Sequence, residues 1–309
     1  MKKLSLIVPC YNEQEALEPF MSEIVRVREL LLPCLLELVF INDGSKDNTL
    51  NIIRQLAEEH DFVRFVSFSR NFGKESAIMA GFSMAEGDYV SVMDADLQDP
   101  PALLPDMLRA VQVEGYDCAG TRRITRKGDP LIRSAFARVF YRFINVLSST
   151  KIVDGARDYK LLSRKAVNAI LSMPEYNRFS KGLYEWIGFR TKWFEYENVE
   201  RVAGKTKWSF WRLFKYSLEG IVSFTTLPLA LASLLGIMCL FVGIIIIILL
   251  SVRQIIWHNS VDGWTSMACI VVLLSGVQLF CMGIIGQYLA KMYMEIKRRP
   301  HYIIAEKSD

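Results

Sequence analysis

The chain is poor in histidine and has no paired cysteines. Only His60, His258 and His301 occur in 309 residues, each isolated, which leaves no His/Cys cluster with zinc-ligand spacing. Cys10, Cys34, Cys118, Cys239, Cys269 and Cys281 form no Cys-x-x-Cys pair, and three lie in apolar runs, a pattern that suits a reducing compartment. There is no Gly-x-Gly-x-x-Gly fingerprint and no Gly-Lys-Ser/Thr phosphate loop, so dinucleotide redox chemistry and ATP hydrolysis lack their usual signatures. The Gly-x-Ser-x-Gly elbow of many hydrolases is missing too. A net charge of +4 from 37 basic and 33 acidic residues does not resemble a nucleic-acid binder. Met-Lys-Lys followed by Leu4-Ser5-Leu6-Ile7-Val8-Pro9 is too short an apolar stretch for an export signal and reads as a first strand.

Charge is also missing from two long stretches. Between Gly220 and Val252, and again between Gly263 and Ala290, no charged side chain occurs. Each stretch exceeds the roughly 20 helical residues that cross a hydrocarbon core, and neither shows the polar stripe of a globular helix. Two membrane-spanning helices are expected, about 226–250 and 265–290 within residues 221–290. Arg201, Lys205, Lys207, Arg212 and Lys215 precede them and Lys291, Lys297, Arg298 and Arg299 follow, while the connector carries only Arg253. The positive-inside bias therefore puts both ends, including a basic tail over 291–309, in the cytoplasm of a multi-pass plasma-membrane protein. Trp257 and Trp264 are expected at the far interface. Residues 201–220 interleave cations with Trp208, Phe210, Trp211, Phe214 and Tyr216, the composition of a helix lying among headgroups. Ile132 to Leu147 reads equally as a second such helix or as an ordinary amphipathic core helix.

The first 200 residues alternate short apolar runs with helical periodicity. Strands are predicted at Leu4–Pro9, Leu35–Ile41, Val63–Ser67 and Tyr89–Met93, and helices at Glu13–Leu32, Thr49–Glu59 and Lys74–Ala85, which argues an α/β domain with a mostly parallel, buried sheet. Ligands of such sheets gather beyond the carboxyl ends of the strands. Those ends carry Tyr11-Asn12-Glu13, Asn42-Asp43-Gly44-Ser45 and Asp94-Ala95-Asp96-Leu97-Gln98. Asp94 and Asp96, two residues apart after an apolar strand, suit a hard cation such as Mg2+ or Mn2+ whose remaining ligands are waters and the phosphates of a nucleotide diphosphate, with Gln98 as a further oxygen donor. Asp43 has two readings, an acceptor for a base or ribose and an Asx turn closing its strand; Tyr11 and Glu13 share that ambiguity.

Val8-Pro9-Cys10-Tyr11-Asn12-Glu13, Asn42-Asp43-Gly44-Ser45-Lys46-Asp47, Asp94-Ala95-Asp96-Leu97-Gln98-Asp99-Pro100-Pro101 and Arg157-Asp158-Tyr159-Lys160-Leu161 together resemble family 2 glycosyltransferases of GT-A fold, in their polyprenyl-phosphate branch with two C-terminal spans. The resemblance covers essentially the whole chain. It implies that Pro9, Tyr11, Glu13 and Asp43 frame a nucleotide sugar, that Asp94, Asp96 and Gln98 hold metal and diphosphate, and that Asp158 is a catalytic carboxylate. It further implies inverting transfer of a sugar, glucose from UDP-glucose by overall likeness, to undecaprenyl phosphate for cell-envelope glycan modification, by a homo-oligomer, a tetramer. GDP-mannose, N-acetylglucosamine and aminoarabinose donors are the alternatives. The family pattern often has Asp where this chain has Asn42, and Arg201-Val202-Ala203-Gly204-Lys205-Thr206-Lys207-Trp208 is similar to a further family segment. Arg122, Arg133, Arg201 and Lys205 are the expected cations for the lipid phosphate. A non-catalytic, membrane-tethered nucleotide-sugar binder is disfavoured by the intact acidic set, and a processive synthase by the missing Gln-x-x-Arg-Trp.

Overall fold

The computed structural model describes residues 1–123, 153, 155–173, 175–197, 227–257 and 263–308. Residues 201–220, expected at headgroup level, and residues 132–147 with their two readings, and with them Arg133, Arg201 and Lys205, lie outside the described residues. Two compact units are present, one of Met1–Ser217 with Arg299–Asp309 and one of Leu218–Arg298.

In the first unit β1 (Lys3–Cys10), α1 (Leu17–Leu30), β2 (Leu35–Asn42), α2 (Thr49–Glu59), β3 (Val63–Phe68), α3 (Lys74–Met84) and β4 (Tyr89–Val92) follow the predicted alternation. A 3-10 turn at Pro101–Leu103 leads into α4 (Leu104–Gln112), followed by β5 (Cys118–Arg123), β6 (Ala156–Ser163), α5 (Arg164–Leu171), α6 (Ser180–Trp186) and β7 (Thr191–Tyr196). The sheet has the order β7-β5-β6-β4-β1-β2-β3-β8, where β8 is Ile304–Lys307. Only β6 and β8 run against the other strands. Alternate residues of the buried strands face opposite layers, as the two-residue period of a strand requires. Leu6, Val8, Leu38 and Phe40 pack with Phe20, Ile24 and Met107 on one face. Ile7, Val39, Ile41 and Val92 pack with Ala77, Ile78, Phe82 and Ile170 on the other. Helix α3 lies so close to β1 that a Cβ on Gly81 would sit 2.2 Å from Ile7 Cγ2.

The basic tail carries secondary structure. Residues 291–297 continue a helix, and Ile304–Lys307 pairs antiparallel with β3 as an edge strand of the sheet. Tyr302 stacks on Phe68 with ring centroids 4.9 Å apart, and Arg54 donates to both oxygens of Glu306 at 2.9 and 2.6 Å. A four-residue strand carries too little pattern to register in a sequence, and its pairing rests on backbone groups.

The described residues of the second unit form α7 (Leu227–Trp257) and α8 (Trp264–Lys297). They pack against each other, with the Cys281 thiol 3.5 Å from the Ala232 carbonyl oxygen. Pro228–Ile246 has mean hydropathy 2.8 and Leu273–Lys297 1.5. Phe241, Leu249, Leu273 and Leu279 are each more than 60% exposed, so these are not core helices of a water-soluble fold; both are long and apolar enough to cross a bilayer.

Candidate active site

The loops that follow β1 and β2 are stitched to one another. Asn12 N–H donates to Ser45 Oγ at 3.0 Å, Glu13 N–H to Thr49 Oγ1 at 2.9 Å, and Lys46 N–H to Asn12 Oδ1 at 2.8 Å. Asn12 takes a positive φ of 54°, unusual for a residue with a Cβ. Pro9 lies within β1, paired in register with Ile41. Asn42, the departure from the family pattern, uses both ends of its amide. Its Nδ2 donates to Ser67 Oγ at 2.8 Å and its Oδ1 accepts from Ser45 N–H at 3.2 Å, so it ties β2 to β3 and closes the turn.

Asp43 is buried, at 3% exposure. Its carboxylate accepts backbone N–H groups of Phe72 at 2.6 Å and Gly73 at 2.9 Å. Burial pushes its proton affinity above the ordinary aspartate value, partly offset by those two donors and Arg70. Gly44 lets the same loop close in: at φ +62° its missing Cβ would lie 2.3 Å from the Arg70 carbonyl carbon. Asp43 and Gly44 therefore fix the chain that leads into α3, and the first residue of α3 is Lys74.

Lys74 is the centre of the site and was absent from the sequence-based candidates. Its Nζ lies 2.7 and 2.9 Å from the two Asp94 oxygens and 2.7 Å from Asp158 Oδ2. Register explains why those carboxylates meet. Strand β6 pairs antiparallel with β4 as far as Val92 opposite Lys160, and Asp94 and Asp158 each lie two residues beyond that pair, at the same end of the two strands. Burial alone would lower the Lys74 proton affinity, but Asp158 and Asp94 raise it far above the usual lysine value. Burial likewise pushes Asp158 up, and Lys74, Lys181 and Arg157 outweigh it, holding the carboxyl well below the usual range.

The loop after β4 turns back on itself. Asp96 Oδ1 accepts from Gln98 N–H at 3.1 Å, and Leu97 adopts φ +56°, a strained backbone of the kind that clusters at functional sites. Its far end is pinned by buried Asp99, which accepts from Arg157 Nε at 3.0 Å and from the Tyr196 hydroxyl. No group of three or more His, Cys, Asp or Glu side chains is arranged to hold a metal among the described residues. The donor set still fits a divalent cation. Asp94 and Asp96 supply hard oxygens, Asp94 already accommodates a positive charge, and Mg2+ or Mn2+ commonly takes its remaining ligands from water and substrate phosphate.

Residues 5–171 match the family model for Glycosyl transferase family 2. The chain belongs to that family. This family 2 glycosyltransferase is 46% identical over 303 residues to the putative glycosyltransferase CsbB of Bacillus subtilis (strain 168), covering 98% of this chain and 91% of the relative. It is 40% identical over 302 residues to the prophage bactoprenol glucosyl transferase homolog of Escherichia coli (strain K12), covering 98% of each. Among solved structures it is similar to a mannosyltransferase from Pyrobaculum calidifontis in complex with GDP-Man and Mn2+, at TM-score 0.50 and 17% identity, with 93% of this chain and 87% of that one covered. That likeness confirms the fold.

Two further features of the glycosyltransferase bear on its charges. Arg122, expected among the phosphate-binding cations, is paired with Glu195 on β7, and both side chains are more than 40% exposed. Glu75, beside Lys74, accepts the Ser180 N–H at 3.0 Å and the Ser180 hydroxyl, which ties α3 to α6. Burial lifts its carboxyl to about 7, with Ser180 opposing and Asp158 reinforcing the rise.

Proposed function

We propose that this glycosyltransferase moves glucose from UDP-glucose to undecaprenyl phosphate, inverting the anomeric centre, as a multi-pass membrane protein whose catalytic unit faces the cytoplasm. The observation that carries the reading is the meeting of Asp94 and Asp158 across one ammonium at the carboxyl edge of the sheet. Relatives named bactoprenol glucosyl transferase, 40% identical along nearly the whole chain, support the lipid acceptor and the sugar. The two long exposed apolar helices support membrane association, and the basic flanks support the orientation. Assembly as a homo-oligomer, a tetramer, belongs to the same proposal.

In the reaction an oxygen of the lipid phosphate attacks the anomeric carbon while the bond from that carbon to the nucleotide diphosphate breaks, releasing the nucleotide. A phosphate monoester with a second pKa near 6 is mostly ionised at neutral pH, so the attacking oxygen needs no base. Asp158, held as a carboxylate by its cationic neighbours, is a poor proton acceptor; it orients the reacting groups. A Mg2+ or Mn2+ ion held by Asp96 with Asp94, and with Gln98 nearby, would offset charge gathering on the departing diphosphate. Pro9, Tyr11, Glu13 and Asp43 border the nucleotide side. Arg122, Arg133, Arg201 and Lys205 are the cations assigned to the acceptor phosphate.

The test is a donor screen with the purified full chain, undecaprenyl phosphate and UDP-glucose, GDP-mannose or UDP-N-acetylglucosamine, read by mass spectrometry of the lipid. A glucosylated lipid made from UDP-glucose is the expected product; transfer only from another donor overturns the sugar assignment. Asp96→Ala is expected to abolish transfer and leave the melting temperature within about 2 °C of wild type, because a part-exposed loop carboxylate contributes little to the core. Retained transfer would remove Asp96 from the metal site.

A further inference from the structure

We infer that Lys74 is an exchangeable internal counter-cation, which occupies Asp94 until metal and nucleotide arrive and then moves to the donor's diphosphate while keeping its hold on Asp158. The inference rests on the reading of Asp94 and Asp96 as the metal-binding pair.

The geometry makes metal and ammonium competitors. Both Asp94 oxygens lie within 2.9 Å of Nζ, so a divalent cation taking Asp94 as a ligand meets the repulsion of an ammonium already on the same carboxylate. The second contact, to Asp158 Oδ2 at 2.7 Å, does not involve the metal pair and can persist. The main chain of Lys74 is meanwhile fixed by the Asp43 carboxylate gripping the two preceding N–H groups. Only the side chain is free to travel, and its flexible four-carbon stem and compact charge suit a swing between two anions. A metal arriving alone would leave the ammonium with its Asp158 contact but without Asp94, beside a divalent ion. A metal arriving with a nucleoside diphosphate brings the anion that Lys74 needs. Ion and nucleotide should therefore load together, with Lys74 as the group that couples them.

Coupling of this kind is reciprocal and measurable by binding alone. Titration calorimetry on the full chain in detergent would use Mn2+ alone, UDP or GDP alone, and Mn2+ with saturating nucleotide, on wild type, Lys74→Met and Lys74→Arg. Lys74→Met is expected to bind Mn2+ alone about tenfold tighter than wild type, and to lose about tenfold of the nucleotide–metal coupling. Lys74→Arg, which keeps the positive charge, should bind Mn2+ alone no tighter than wild type, and in an Asp94→Asn background the Lys74→Met effect should vanish. Lys74→Met binding Mn2+ no tighter than wild type would overturn the inference. If that variant fails to fold, wild type still decides: equal Mn2+ affinity with and without nucleotide would overturn it as well. Failure of every donor to yield a sugar lipid would sink the functional reading while leaving the Mn2+ comparison intact, so the two failures are distinguishable.

Discussion

Replacing Asp43 by Asn separates two roles for a residue that sequence alone leaves open. The buried carboxylate accepts N–H groups from both Phe72 and Gly73. An asparagine keeps one acceptor oxygen and turns an NH2 group toward the other donor. Hydrogen bonds to charged groups contribute about 1.5 to 3 kcal/mol, and a buried donor left unsatisfied costs a further 1 to 3 kcal/mol. Allowing for relaxation, the expected loss is about 2 to 4 kcal/mol. For a domain of 150 to 250 residues each kcal/mol moves the melting temperature by roughly 2 to 4 °C, so Asp43→Asn should melt about 5 to 15 °C lower. The displaced loop carries Lys74 with it, so the maximal transfer rate should fall as well as the donor affinity. Thermal unfolding in detergent and initial rates across donor concentrations measure both. An unchanged melting temperature with only a raised donor KM would refute the anchoring argument and leave Asp43 as a nucleotide contact alone.

Gly44→Ala meets both a positive φ and the Arg70 backbone at 2.3 Å, and should destabilise by on the order of 3 kcal/mol, read as a lower melting temperature. Glu75→Gln tests the lifted carboxyl. A group whose folded value is raised contributes stability that is present below its unfolded value and lost as pH climbs to the folded one. Wild type should therefore lose stability relative to the variant between about pH 4.5 and pH 7, by at most about 3 kcal/mol, and the difference should level off above that window; equal melting temperatures for the two proteins at every pH would refute it. At the returning tail, Tyr302→Ala removes the ring stacked on Phe68 and should cost about 1 to 2 kcal/mol. Glu306→Gln breaks only a solvent-exposed pair with Arg54 and should cost less than about 1 kcal/mol, and the reverse order in thermal melts would overturn the packing account.

The alternation of buried strand and amphipathic helix through residue 93 was legible because local periodicity determines it, and Thr49–Glu59 falls where the sequence predicts. The two apolar helices were legible from the missing charge. Lys74 was not. Sequence shows it only as the first residue of a helix, whereas its meaning lies in contacts to residues 20 and 84 positions away. The glycine before it, at φ +98°, marks a sharp entry to the helix but names no partner. The antiparallel placement of β6 beside β4 was equally hidden, since hydrophobic runs report burial and not direction. It is this reversal that puts Asp158 at the same end of the two strands as Asp94.

The backbone that carries Lys74 is over-determined, and that predicts how perturbations group. Residues 68–74 are held from two sequence-distant places, the Asp43–Gly44 turn and the returning tail. Asp43 binds the Phe72 and Gly73 amides, Gly44 admits the Arg70–Asn71 backbone, and the returning tail stacks Tyr302 on Phe68 while Ile303 accepts the Ser69 N–H at 3.0 Å. None of these residues needs to touch substrate to matter. Asp43→Asn, Gly44→Ala and Tyr302→Ala should therefore share one signature, lower stability together with weaker coupling between Mn2+ and nucleotide, because each loosens the same lysine. Asp96→Ala should show the opposite combination, wild-type stability with no metal-dependent binding. A Tyr302→Ala protein that melts early yet couples metal and nucleotide as tightly as wild type would break the chain of argument at its most distant link, and show that the tail stabilises the sheet without reaching the site.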